Sequence, residues 1–239
     1  MTKNRQTKAV PVAALAGNPN VGKSTIFNAL TGMRQHTGNW PGKTVSLAQG
    51  VCMYKGEEIR LVDLPGTYAL VSKSQEETLA AGFISGGEAD CVIAVCDATS
   101  LERSLILALQ VMELTDRVIV CVNLMDEAQK QGIKIDLAAL SFELGVPVVA
   151  ASASREEGMG ELLEQLRRIL DGFEAPRPRR CGVVSDSIRE SHLGAEALHG
   201  ASGRDSDEIA ARFVRRAEEI AKKVVRETRQ DAKTRTLRV

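Results

Sequence analysis

The sequence predicts an α/β fold, doubly wound around a mostly parallel sheet, with a small all-α domain at its C-terminal end. Three observations predict it. Short apolar runs of strand length alternate with amphipathic helical patterns from Val10 to Leu170, and such alternation argues a parallel sheet covered on both faces. Cys91 to Cys96 and Val118 to Val122 are apolar at every position, as strands buried on both faces must be. Gly17-Asn18-Pro19-Asn20-Val21-Gly22-Lys23-Ser24-Thr25 joins the first apolar run to the first helical pattern. That segment fits G-x-x-x-x-G-K-[ST], and the strand–loop–helix context is what gives the string its meaning.

Val10 to Ala16 reads as the buried strand before this loop. Ile26, Phe27 and Leu30 share one helical face after it, and Gly32 sits where a C-cap would. Gly17 and Gly22 let the backbone curl until successive N–H groups point at an anion, and the helix N-terminus adds its partial positive charge. Lys23 supplies a point charge for β- and γ-phosphates, and the Ser24 hydroxyl is a hard oxygen ligand for Mg²⁺.

Residues 33–44 show neither helical nor strand period and are rich in turn formers. They read as a loop, placed where a nucleotide-sensing switch would lie. Val45 to Tyr54, a turn at Lys55-Gly56-Glu57, and Ile59 to Val62 then read as a β-hairpin. Its second strand ends in Asp63-Leu64-Pro65-Gly66, a D-x-x-G. An aspartate at such a strand end can hold Mg²⁺ through water, and the Gly66 amide can meet a γ-phosphate where a side chain would obstruct.

Gln75 to Ser85 reads as a helix, and so does Ser100 to Leu114, with Leu101, Leu105, Ala108, Leu109 and Met112 at helical spacing. The strand Val118 to Val122 ends in Asn123-Leu124-Met125-Asp126, an N-x-x-D. A carboxylate there can accept from both N1–H and the 2-amino group of guanine, a pattern adenine cannot offer. Sites of this kind discriminate by about 10⁴–10⁵. After a helix from Asp136 to Leu144, the last strand, Val146 to Ala150, runs into Ser152-Ala153-Ser154, where small residues let backbone amides reach guanine O6. Gly160 to Leu170 closes the unit, with Leu162, Leu163, Leu166 and Ile169 facing inward. Every motif follows the C-terminal end of a strand, the edge at which doubly wound folds bind ligands.

Composition narrows the function classes. The 31 basic and 31 acidic side chains cancel, whereas a general nucleic-acid binder carries a basic excess. The five cysteines form no C-x-x-C and read as small buried hydrophobes of a reducing cytoplasm. His36, His192 and His199 are scattered and make no metal site. The polar N-terminus has no signal-peptide core, and no apolar run approaches the ~18 residues of a membrane helix, so the chain as given reads as soluble.

Glu174 to Arg180 is proline-rich and basic, and marks a boundary between residues 1–172 and 173–239. Beyond it, 183–198 carries weak helical signals and Asp205 to Arg229 a clear one. Ile209, Phe213, Ala217, Ile220, Val224 and Thr228 form its stripe, with Asp205 or Ser206 as N-cap. A tail this short buries little core alone and is expected to dock on the first unit. Its basic end, from Lys222 to Arg238, reads as a solvated face or as a surface for an anionic partner or membrane. Gly200-Ala201-Ser202-Gly203 matches the G-x-x-G of KH modules but lacks their basic and aliphatic neighbours, and reads as a loop.

The ordered set Gly17-x-x-x-x-Gly22-Lys23-Ser24, Thr44, Asp63-x-x-Gly66, Asn123-x-x-Asp126 and Ser152-Ala153 resembles the translation-factor-type small GTPase domain, over about residues 1–172. Within it, Gly38-Asn39-Trp40-Pro41-Gly42-x-Thr44-Val45 and Asp63-Leu64-Pro65-Gly66-Thr67-Tyr68 are similar to the bacterial ferrous-iron transporter family FeoB, and the tail is similar to that family's small helical domain. The resemblance implies a Ras-like P-loop fold and a slow GTPase that regulates Fe²⁺ transport, with loops 33–44 and 64–75 reporting nucleotide state. Gly17 to Thr25, Asp63, Gly66, Asn123, Asp126, Ser152 and Ala153 would bind GTP or GDP.

By the same resemblance, Lys23, Thr44, Gly66 and Asn20 would act on the reaction. Ser24, Thr44 and Asp63 would hold Mg²⁺, and Asn20 would ligate K⁺ in place of an arginine finger. The implied partners are a membrane transport domain of the same polypeptide, small accessory proteins and further copies of the chain, without nucleic acid. The implied location is the cytoplasmic face of the bacterial inner membrane. A soluble ribosome- or tRNA-associated GTPase shares the same core and is the alternative. Leu124 stands where most such GTPases carry a base-stacking lysine, Lys43 and Ser46 depart from the pattern around Thr44, and no glutamine follows D-x-x-G.

Overall fold

The computed structural model describes residues 10–32, 35–39, 46–70, 74–174, 176–185, 188, 194–195, 198 and 204–227, with the backbone alone at 35–39, 46, 204–206 and 227. In chain order the strands of its main sheet are β1 (Val12–Gly17), β2 (Gln35–Asn39), β3 (Ser46–Tyr54), β4 (Glu57–Asp63), β5 (Cys91–Asp97), β6 (Val118–Asn123) and, after the short β7 (Ile133–Ile135), β8 (Val148–Ala150). They lie side by side as β2-β3-β4-β1-β5-β6-β8. Strand β3 runs antiparallel to both its neighbours, and the other pairings are parallel. This is the doubly wound, mostly parallel sheet expected from the alternation of patterns.

Strand sequences explain the two cores. In β1, Ala13 and Leu15 face one side while Ala14 and Ala16 face the other, and all four are buried. Strand β5 divides likewise: Cys91, Ile93 and Val95 on one face, Val92, Ala94 and Cys96 on the other. A period of two with both faces covered yields a continuous apolar run. Helices α1 (Lys23–Thr31) and α6 (Met159–Leu170) cover the first face. Helices α2 (Gln75–Ser85) and α3 (Leu101–Leu114) cover the second.

Helix ends follow local chemistry. Gly32 caps α1 in the left-handed conformation at φ 60°, and its amide returns to Asn28 O. Ser74 and Glu77 make reciprocal side-chain bonds to each other's amides at the start of α2, a capping box. Asp136 accepts from the Ala139 amide at 2.9 Å and opens α5 (Leu137–Leu144).

Several elements differ from the sequence reading. Gln35–Asn39 lies within the expected loop, yet it pairs with β3 from Gln35↔Gly50 to Asn39↔Ser46. An edge strand pairs through backbone on one side only, so its side chains need show no alternation. The helix α4 (Met125–Lys130) is too short to display a period. The last helix, α7 (Arg204–Val224), stops short of Arg229 and already contains both Asp205 and Ser206. Beyond it β9 (Val225–Glu227) pairs antiparallel with β7, and the Asp136 amide donates to Val224 O at 2.9 Å.

The α7 stripe packs against the second face of the sheet unit: Phe213, Ala217, Ile220 and Val224 are buried in the same core as α3. Thr228 lies outside the described residues, as does most of 183–198. Residues 180–184, which follow the sheet unit, are tied to α3. Glu113 of α3 is fully buried, and its carboxylate accepts the amides of Cys181, Gly182, Val183 and Val184 at 2.6 to 3.1 Å. Arg180 donates to Met112 O at 2.6 Å and pairs with Asp116. Among the described residues no helix is long and apolar enough to cross a membrane.

Candidate functional site

Because β1, β4, β6 and β8 run parallel, Gly17, Asp63, Asn123 and Ala150 all finish at one edge of the sheet. The four loops leaving them carry the motifs. A cleft of about 550 Å³ opens there, lined by Asn18, Pro19, Asn20, Gly22, Lys23, Ser24, Thr25 and Gly66. Val21 is the one residue of this stretch turned into the core instead.

The loop after β1 is shaped by positive φ at Asn20 (67°) and Gly22 (81°). Gly22 is required twice over. Its φ disfavours a side chain, and a Cβ there would stand 2.3 Å from Asn123 Nδ2. At Gly66 a Cβ would meet Pro19 backbone atoms at 3.4 Å, an ordinary contact. Packing therefore does not demand glycine at 66, and the space it leaves belongs to the cleft.

Charge is concentrated where α1 begins. Lys23 pairs with Asp63 Oδ1, both side chains being largely buried. The Ser24 hydroxyl donates to Asp63 Oδ2 at 3.1 Å. A cation, a hydroxyl and a carboxylate thus converge on the positive end of a helix, the donor set that an anion and a hard divalent ion share. Asn18 is buried nearby and its Oδ1 has no hydrogen-bond partner.

Asn123 holds two loops together. Its Nδ2 donates to Val21 O at 3.0 Å and its Oδ1 accepts the Ala153 amide at 3.0 Å. One buried side chain thereby fixes the P-loop against the Ser152-Ala153 loop. The Ala153 amide, expected to reach a base oxygen, is committed to this strut. Leu124 adopts φ 62° to start α4, and the Met125 amide donates to Ala151 O at 3.1 Å. The Asp126 amide donates to Ser152 Oγ at 3.3 Å. Asp126 Oδ1 is buried without a partner, while Oδ2 faces Arg155.

The structure therefore brings together Gly17 to Thr25, Asp63 and Gly66 on one side and Asn123, Asp126, Ser152 and Ala153 on the other. Thr44, and residues 33–34, 40–44 and 71–73 of the expected switch loops, lie outside the described residues. Sequence reading missed the strut role of Asn123 and the presence of Arg155, which belongs to no motif. It also missed Gln110, buried in α3, which accepts the Leu70 amide at 2.5 Å and so ties the end of the D-x-x-G loop to that helix. None of these leaves a periodic signal.

The cysteines take no part. Burial pushes the thiols of Cys52 and Cys181 up to about 11 and those of Cys91 and Cys121 to about 12, and raises that of Cys96 further. Among the described residues no cluster of histidine, cysteine or carboxylate side chains could hold a metal ion.

Comparison with known proteins gives one consistent result. A family model described as ferrous iron transport protein B matches residues 11–166. The Fe(2+) transporter FeoB of Salmonella choleraesuis is 41% identical over 208 residues, covering 78% of this chain and 26% of that protein. That of Escherichia coli K12 is 44% identical over 165 residues, 67% of this chain and 21% of that protein. The chain thus spans about a quarter of the length of the curated relatives it matches. Among solved structures, the cytosolic domain of the T. maritima FeoB iron transporter in a GDP form superposes with TM-score 0.78 at 33% identity, covering 91% of this chain and all of that one. Its GMPPNP form gives TM-score 0.77 at 34% identity with the same coverage. The cytosolic domain of L. pneumophila FeoB gives 0.76 at 32% identity, covering 90% of this chain and 100% of its own.

Proposed function

The chain belongs to the ferrous iron transport protein B family, and from that premise we propose that it binds GTP and GDP and hydrolyses GTP slowly as the regulatory part of a membrane Fe²⁺ transporter. In this reading residues 1–172 are the G domain. Residues 173–239 are a small helical domain that leads toward a membrane transport domain, on the cytoplasmic face of the bacterial inner membrane. The observation that carries the reading is the convergence of four motif loops at one sheet edge, with Lys23 and Ser24 both bonded to Asp63. The relatives' GDP and GMPPNP forms support it. The ribosome-associated alternative is not favoured, since the matching family is a transporter family.

The residues present suit Mg²⁺: Ser24 Oγ and Asp63 Oδ2 are hard oxygens 3.1 Å apart. With Thr44 they would hold the ion, whose positive charge would offset that of the phosphates. Lys23 exchanges its Asp63 partner for β- and γ-phosphate oxygens. The amides of the P-loop line the same charge, and Gly66 presents its own amide without a side chain in the way. Asp126 accepts the N1–H and 2-amino group of the base. Asn20, at φ 67° on the rim of the same cleft, is the residue that would hold K⁺ beside the phosphates.

No side chain of the described cleft is placed to act as general base or arginine finger, so unassisted turnover belongs on the order of 10⁻⁴–10⁻² s⁻¹. Single-turnover phosphate release tests this. GTP should yield phosphate at such a rate, faster in K⁺ than in Na⁺, and Asn20→Ala should abolish the difference. Bound GTP that persists unhydrolysed would leave a binding-only switch, and equal stimulation in both proteins would remove K⁺ from Asn20.

A further inference from the structure

Resting on the guanine reading of Asp126, we propose that Arg155 is a positioning residue for base recognition: it holds the Asp126 carboxylate from the Oδ2 side, fixes the plane in which both oxygens meet the base, and so sets the preference for a purine with a 2-amino group. The Asp126 side chain is only 9% exposed, and its Oδ1 has no hydrogen-bond partner. Its Oδ2 lies 3.4 Å from Arg155 Nε and 3.9 Å from Lys130 Nζ. These two cations are the charged groups recorded against the carboxylate. Both cations are about half-exposed, 58% for Lys130 and 51% for Arg155, but Lys130 sits closer to Glu127, at 2.7 Å, and shares its charge there. Arg155 is left as the cation that fixes the carboxylate.

The backbone under Arg155 is closed by hydrogen bonds. The Ser152 and Glu157 amides exchange bonds with each other's carbonyls at 3.1 and 3.3 Å, and the Arg155 amide donates to Ser152 O at 2.9 Å. Gly158 locks the exit at φ 83°, where a Cβ would lie 2.1 Å from Ala150 O. Arg155 therefore rides on the closed loop that carries Ser152 and Ala153, and that loop is joined through Asn123 to the P-loop. A base gripping Asp126 at two points needs the carboxylate plane held in one orientation. A base that makes a single N1–H bond tolerates rotation. Holding Oδ2 from the side thus favours guanine over hypoxanthine more than it favours either outright.

The test is calorimetric titration of the wild type, Arg155→Ala and Arg155→Lys with GDP and with inosine diphosphate, in Mg²⁺. Arg155→Ala should weaken GDP by about 3- to 10-fold and inosine diphosphate by less than about 2-fold, so that the ratio of the two dissociation constants shrinks. Arg155→Lys should recover most of the ratio. A merely structural role would weaken both ligands equally, and an unchanged ratio or tighter GDP binding in Arg155→Ala overturns the proposal. If thermal melting shows Arg155→Ala unfolded, Arg155→Gln against Arg155→Lys decides by the same ratio. Wild type that binds neither ligand removes the guanine reading itself, a result distinct from failure of Arg155.

Discussion

At the scale of single residues, two side chains hold backbone in place, one at the site and one at the segment that follows the sheet unit. Asn123 bridges Val21 O and the Ala153 amide, and Gly22 is the only residue type that leaves room for it. Gly22→Ala must displace the Asn123 amide group and strain a positive φ. We expect it to cost about 1–3 kcal/mol in thermal unfolding and to abolish detectable nucleotide binding. Full-strength binding in this variant would separate the strut from the site. Glu113 is the second such residue. Its buried carboxylate accepts four consecutive amides of 181–184, so Glu113→Ala removes the shared acceptor of four donors, three of them part-buried and that of Val184 buried. A loss of about 3–5 kcal/mol is expected, with Glu113→Gln losing less because one acceptor oxygen remains. A change below about 0.5 kcal/mol would contradict the account of the linker.

At the scale of elements, α7 is held to α5 by apolar burial and by charge. Lys223 Nζ donates to Glu143 Oε1 at 2.8 Å, and Arg216 donates to Oε2 at 3.1 Å and to the Glu143 carbonyl at 3.0 Å. The Lys223 hydrogen bond, aided by Arg216 and opposed by burial, holds the Glu143 carboxyl below its ordinary value. A carboxyl lowered by folding contributes stability that is complete above its unfolded value, about 4.3, and is lost as pH falls through the lowered one. Glu143→Gln should therefore melt below wild type near neutral pH, and the gap should close on acidification through that window. A gap that stays constant would show the pairs to be inert. The effect is modest, because Lys223 is half-exposed and screened by solvent.

The same scale shows what sequence could and could not reveal. Strands β5 and β6 and helices α2 and α3 were legible because their burial writes a period into them. The Phe213-Ala217-Ile220-Val224 stripe was legible for the same reason, as were motif loops whose glycines and charges have fixed spacing. Strand β2 was not, since backbone pairing at an edge asks little of its side chains. The β7–β9 pair was not, because three residues carry no period and their partner lies far along the chain. Glu113 and Gln110 looked like ordinary polar positions of α3. Their meaning depends on which distant amides reach them, which only the folded chain determines.

At the scale of the whole molecule, α3 lies between the D-x-x-G loop and the C-terminal segment. Gln110 holds Leu70 at one level, Glu113 holds 181–184 a turn later, and α7 packs alongside. The D-x-x-G loop and β9 are therefore joined through α3 and α7, which share one core. The central claim beneath this arrangement is that the four converging loops select a guanine nucleotide with Mg²⁺. Isothermal titration of the purified chain with GDP and, separately, ADP measures it most directly. The account predicts saturable heat with GDP and at least about a 10⁴-fold weaker interaction with ADP; absence of heat with GDP, or equal affinity for ADP, would contradict it.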